Sequence, residues 1–215
     1  MRKEIISNVF ERKIVTIVRG VYGEQTVALA QALAAGGIQM MEITFDQSKP
    51  DLWAQTAESI RLVSKTMGDR MIIGAGTVTT VALVEMAHQA GGQFIVSPDT
   101  QAAVIRRTVE LDMVSMPGAF TPTEISTAHQ AGADFVKVFP SGVLGADYIK
   151  AIRAPLNHIP MLAVGGVNEK NAASFLAAGC AGVGVGGNLV NTQWIAAGEF
   201  DRITALAEAY CKAVA

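Results

Sequence analysis

Residues 134–140, DFVKVFP, read as a short strand with two chemically distinct faces. Side chains alternate across a strand, so Lys137 shares a face with Phe135 and Phe139, while Val136 and Val138 take the other. Seven further runs read as strands: IVTIVRG from Ile14, MMEITFD from Met40, MIIGAGTV from Met71, QFIVSP from Gln93, MVSMPG from Met113, MLAVGGV from Met161 and GVGVGG from Gly182. Between them lie segments at helical period, such as EQTVALAQALAAGG, PDLWAQTAESIRLVSKTMG, TVALVEMAHQAGG and NEKNAASFLAAGC, several ending on the glycine expected past a helix terminus. Strict βα alternation implies parallel strands with right-handed crossovers, and eight such units close into a barrel. The expected fold is an α/β (β/α)8 TIM barrel with an extra N-terminal helix before Ile14, one domain over residues 1–215. An open dinucleotide-binding sheet would need GxGxxG after the first strand, and VRGVYGEQ does not supply it.

Composition narrows the function classes. The chain has 215 residues, 50% hydrophobic and 17% charged, with 21 glycines, enough for a large core and many tight turns. The net charge of -2 comes from interspersed acids and bases, which disfavours nucleic acid as a partner. No apolar run reaches the length of a membrane span, and the first 13 residues alternate apolar and charged groups at helical spacing, unlike a signal peptide. A cytoplasmic protein acting on a small molecule is the expectation. Cys180 and Cys211 read as two buried thiols without a role.

The active site of a barrel lies at the carboxyl ends of its strands, so polar residues on the interior face stand out. Glu42 shares its face with Met40, Thr44 and Asp46, which places a lysine and a glutamate in one lumen. A lysine among phenylalanines loses hydration, which lowers its pKa toward a range where the free amine can attack a carbonyl, and a carboxylate can relay protons. The alternative is a structural buried ion pair, which contributes little relative to apolar packing. Gly165 and Gly166 end the seventh strand, Gly186 and Gly187 the eighth, the loops where barrels commonly bind phosphate; otherwise these glycines relieve crowding. Arg19, Thr77 and the backbone near Ser97 and Pro98 form a candidate carboxylate site, with Arg19 alternatively reaching solvent. His88, His129 and His158 share no metal-ligand spacing, so no metal is expected, and Trp53 and Trp194 read as packing residues.

These residues give the chain a resemblance to the 2-keto-3-deoxy-6-phosphogluconate aldolase family, which includes 4-hydroxy-2-oxoglutarate aldolases and a phosphogalactonate branch. The matching motifs, in order, are VRG with Arg19, MEITF with Glu42, GAGTV with Thr77, FIVSP with Pro98, MPGAFTPTE around Gly118, FVKVFP with Lys137, VGGV with Gly165 and Gly166, and VGVGG. They run from the first strand to the last helix. The resemblance implies Lys137 as Schiff-base nucleophile and Glu42 as general acid/base. It implies Thr77 as a contact to the pyruvate carboxylate; Arg19, Pro98, Phe139, Gly165, Gly166, Gly187 and Asn188, read from their places at the strand ends, are the further substrate-binding residues expected. It also implies a cytoplasmic homotrimer that needs no cofactor and releases pyruvate plus glyceraldehyde 3-phosphate or glyoxylate. Three positions depart from the commonest pattern. Asp46 stands where an arginine often holds the substrate carboxylate, Val164 replaces a threonine before the paired glycines, and Asn188 replaces a serine. Val164 and the later AGCAG are similar to the galactonate branch. The rival readings are a phosphate-binding barrel synthase or isomerase without a covalent lysine, and a non-catalytic phosphosugar-binding barrel.

Overall fold

A computed structural model of the protein describes residues 2–215. Its single sheet is a ring of parallel strands. They are β1 (Ile14–Val18), β2 (Met40–Thr44), β3 (Ile72–Gly76), β4 (Phe94–Val96), β5 (Val114–Met116), β6 (Gly118–Ala119), β7 (Val136–Val138), β8 (Met161–Val164) and β9 (Gly182–Val185). The ladder runs β5-β4-β3-β2-β1-β9-β8-β7-β6. Nine strands appear where eight were expected because Pro117 divides the fifth. Proline has no N–H to give the ladder, so β5 pairs with β4 and β6 with β7 on either side of it. The Pro117 carbonyl still accepts the Lys137 N–H at 2.9 Å, which carries the pairing across the break and closes the barrel.

Helices α1 (Arg2–Arg12), α2 (Glu24–Ala35), α3 (Trp53–Met67), α4 (Val81–Gln89), α5 (Ala102–Glu110), α6 (Pro122–Gln130), α7 (Ser141–Arg153), α8 (Ala172–Ala177), α9 (Thr192–Ala197) and α10 (Phe200–Val214) accompany the strands. Strand alternation sorts the buried residues into two bodies. Met41, Ile43, Phe45, Val136 and Val138 pack outward against the helices. Val15, Met40, Phe94, Val96, Val114, Met116, Phe135, Leu162 and Val164 fill the barrel interior.

The extra N-terminal helix closes the bottom of that interior. Ile5 and Val9 of α1 are buried in it, each contributing about 1.5–3 kcal/mol by burial. Arg2 pairs with Asp134 at 2.8 Å, and the Phe10 ring meets Phe135 at 5.3 Å between centroids. With α1 packed against the lower mouth, the large cavity that reaches Lys137 opens at the carboxyl ends of the strands.

Candidate active site

Lys137 from β7 and Glu42 from β2 project into the lumen from strands four places apart in the ring, and so from opposite walls. Both are buried, with 5% and 2% of their surface exposed. Gly76 makes room for the carboxylate, because a Cβ there would lie 2.7 Å from the Glu42 carboxyl carbon. Burial pulls the Lys137 pKa below the ordinary lysine value and outweighs Glu42, which pushes it up; Arg19 adds to the lowering. Burial likewise lifts Glu42, against the pull of Lys137 and Arg19.

Among the described residues no hydrogen bond or ion pair joins the two groups. Glu42 Oε2 is buried without a partner among the described residues, and Lys137 Nζ lies 4.9 Å from the centroid of the Phe139 ring. A structural ion pair would spend both charges on each other. Here both remain available. A narrow interior cavity of about 10 Å³, on the order of one water, is bounded by both side chains.

Arg19 follows β1, level with Thr44 if the register that sets Val18 beside Ile43 is continued. It is exposed, has no hydrogen bond or ion pair among the described residues, and borders cavities on either side of the lumen. One of these, about 230 Å³, is also lined by Thr44, Asp46, Gln47 and Thr77. Thr77 holds a positive φ of 56°, unusual for a β-branched residue and costly unless its surroundings enforce it. Gln47 does so, its Nε2 donating to the Thr77 carbonyl at 2.8 Å while its Oε1 accepts from Thr79 Oγ1 at 3.0 Å.

Asp46 lines the same cavity, but its carboxylate is engaged locally. Oδ1 accepts from the Ser48 N–H at 2.9 Å and the Ser48 hydroxyl at 2.6 Å, bonds that hold its pKa below the usual carboxylate range. Trp53, expected only to pack, donates its indole N–H to the Asp46 carbonyl at 2.9 Å and fixes the loop. Pro98 is exposed at the rim, its carbonyl against Gly118, and does not line the cavities that hold Arg19, Thr77 and Lys137. Thr44 was not assigned to the site from sequence, although its shared face with Glu42 was the signal that could have found it.

The larger cavity, about 580 Å³, runs from Lys137 and Phe139 past Val164 to Gly165, Gly166, Gly186, Gly187 and Asn188. Gly165 and Gly166 have φ of 85° and 76°, a conformation that L side chains rarely adopt, and the Gly142 N–H donates to the Gly165 carbonyl at 2.7 Å. Ser141 Oγ links the ends of β7 and β8, donating to the Val138 carbonyl at 2.7 Å and accepting from the Val164 N–H at 3.3 Å. The backbone N–H groups of Gly166, Gly187 and Asn188 donate to no partner among the described residues. Such unengaged donors, with Arg19 and Lys170, make this an anion pole. Lys170 was overlooked in the sequence, where the NEK after the paired glycines was its only trace.

His129 on α6 packs edge-on against His158 in the loop before β8, with ring centroids 5.4 Å apart, and is half-buried. Among the described residues no group of three or more His, Cys, Asp or Glu is placed to hold a metal ion. Cys180 is buried, its pKa pushed up to about 12, while Cys211 is only half-buried, which corrects the expectation of two buried thiols.

The family model described as KDPG and KHG aldolase matches residues 5–206. The 2-dehydro-3-deoxy-6-phosphogalactonate aldolase of Escherichia coli K12 is 37% identical, covering 94% of this chain and 96% of its own. The KDPG aldolase of Legionella pneumophila, solved with pyruvate as a covalent carbinolamine intermediate, superposes with a TM-score of 0.84 at 26% identity, covering 95% of this chain and 97% of that one. A cube-shaped protein cage designed by fusing symmetric oligomeric domains contains a chain 37% identical, with a TM-score of 0.83, covering 94% of this chain and 71% of that one. By a match along nearly its whole length, on a barrel that places a buried lysine and glutamate in one lumen, this chain belongs to the KDPG and KHG aldolase family.

Proposed function

We propose that the chain is a class I aldolase that cleaves a 2-keto-3-deoxy-6-phosphosugar acid, of galactonate type, to pyruvate and glyceraldehyde 3-phosphate, with Lys137 as nucleophile and Glu42 as proton relay. The carrying observation is that these two buried ionisable groups face one lumen without being spent on each other. The unprotonated Lys137 amine attacks C2 of the keto acid, and loss of water from the carbinolamine gives an iminium. Glu42 returns the proton that the departing hydroxide needs, then takes the C4 hydroxyl proton as the C3–C4 bond breaks. The bonding electrons pass to the iminium nitrogen, leaving an enamine that is protonated at C3 and hydrolysed to pyruvate.

Substrate polarity fits the two poles. The carboxylate meets Arg19 and Thr77, and the phosphate meets Gly165, Gly166, Gly187 and Asn188, so the reacting carbons lie over Lys137 beside Phe139. Pro98 belongs to this reading only as a rim residue. The galactonate preference is supported by Val164, which gives no hydroxyl to the cavity wall, and by the name of the E. coli relative. The proposal includes a single barrel domain over residues 1–215 and a cytoplasmic homotrimer, the latter supported by the symmetric oligomer used in the cage. Light scattering on the purified protein tests the trimer.

Borohydride reduction with pyruvate tests the chemistry. One pyruvyl adduct on Lys137, lost in Lys137→Ala, is the expected result; no adduct would turn the reading toward a barrel synthase or isomerase. Coupled pyruvate assays over the galactonate and gluconate phosphosugars and 4-hydroxy-2-oxoglutarate rank the substrates, and absence of turnover on all three would point to a binding protein.

A further inference from the structure

Tyr210 lies on α10, remote in sequence from every catalytic strand, and is wholly buried. Its hydroxyl nevertheless reaches the anion pole. Asn188 Nδ2 donates to Tyr210 Oη, and the Glu169 backbone lies beside the same oxygen. Asn188 belongs to the loop after β9 and Glu169 to the loop after β8, the two segments that wall this end of the cavity. One phenol from the last helix is therefore bonded to one loop and lies beside the other.

The proton count shows what the tie does. Burial pushes the Tyr210 pKa up, so the group stays a phenol with a proton of its own to place. If Nδ2 of Asn188 points at it, that proton has no acceptor from Asn188. A half-turn of the amide presents Oδ1 to the phenol and frees both N–H bonds of Nδ2 on a residue that lines the cavity. That orientation satisfies the hydroxyl and adds an amide donor to the unengaged N–H groups of Gly187 and Asn188. We infer that Tyr210 is a positioning residue of the phosphate pole, holding Asn188 with its amide N–H toward the substrate phosphate and fixing the Gly187–Asn188 turn against the loop after β8. The inference rests on the reading that this cavity receives a phosphate.

The test is the aldol addition of pyruvate to glyceraldehyde 3-phosphate and to unphosphorylated glyceraldehyde, with the ratio of the two KM values as readout. Packing loss alone would shift stability without moving that ratio. Tyr210→Phe keeps the ring and is expected to shrink the preference for the phosphorylated aldehyde roughly three- to tenfold, the scale of one hydrogen bond, through KM rather than kcat. Asn188→Ala should shrink it at least as far, and the double variant no further than Asn188→Ala, because Tyr210 acts through Asn188. An unchanged ratio in Tyr210→Phe, or losses that multiply in the double variant, overturns the inference while leaving the phosphosugar reading intact. A wild-type enzyme with no preference for the phosphorylated aldehyde overturns both. Should Tyr210→Phe fail to fold, Asn188→Ala with an unaltered ratio overturns it alone.

Discussion

Gly76→Ala is a one-carbon change that isolates the seating of Glu42. Gly76 sits opposite Thr44 in the β2–β3 ladder, and an added Cβ would lie 2.7 Å from the carboxyl carbon of Glu42 and 2.8 and 2.9 Å from its two oxygens. Ordinary contact begins at 3.4 Å, so from 2.7 Å the carboxyl must retreat by about 0.7 Å or the strand must yield. The strand is held by ladder pairs at five consecutive positions and by the Phe45 N–H on the Gly76 carbonyl at 2.9 Å, so most of the displacement falls on the side chain. A displacement approaching 1 Å in a catalytic group lowers turnover by about a hundredfold, and overpacking of this kind costs about 1–3 kcal/mol of stability. Steady-state pyruvate release should therefore show kcat down by roughly two orders of magnitude. Borohydride should still trap pyruvate on Lys137, more slowly, because the nucleophile is untouched. Urea unfolding gives the stability term from the same preparation. A folded Gly76→Ala with kcat within threefold of wild type would refute the argument that this glycine exists to seat the relay.

Replacing both buried ionisable groups, in Lys137→Met with Glu42→Met, should abolish turnover yet leave the protein at least as stable at neutral pH, by up to about 4 kcal/mol, the scale seen when buried ionisable groups give way to apolar ones of similar volume. The sign follows from the shifts. Lys137 is depressed from 10.5 and so disfavours folding below that pH; Glu42 is raised from 4.5 and disfavours it above. Denaturant midpoints at pH 7 check this, and a loss above 1 kcal/mol contradicts it. Trapped pyruvate adduct should rise with pH along a limb centred below 10.5, and Glu42→Gln should move that midpoint lower, since the carboxylate raises the Lys137 pKa; a midpoint moving upward defeats the assignment. Arg19→Met should raise the pyruvate concentration needed for half-maximal trapping roughly ten- to a hundredfold, the worth of a charged hydrogen bond. Unaltered pyruvate affinity would remove Arg19 from the carboxylate pole.

Much of this site was legible because a barrel ties strand period to function. Every second residue of an interior strand faces the lumen, so DFVKVFP and MMEITFD by themselves placed Lys137 and Glu42 together, and the structure keeps that parity on both strands. What stayed hidden depends on distance rather than period. The ion-pair alternative has the same sequence signature as a poised pair, and only the lack of a bond between the two groups among the described residues separates them. The division at Pro117 was present in MVSMPG, but a proline in a strand marks a break only if its N–H would have entered the ladder, which the partner decides. Helix α7, which strict βα alternation requires after the strand of Lys137, is kinked at Gly145, at φ 75°. Asp46 is the instructive case. It stands where an arginine often holds the substrate carboxylate, yet Asp-Gln-Ser carries the spacing by which an aspartate takes the N–H two residues on, and Ser48 draws the carboxylate into that turn. A formal charge at a strand end therefore says little until its local hydrogen bonds are known. Arg19, which has none among the described residues, is a charge at this rim free to meet a carboxylate.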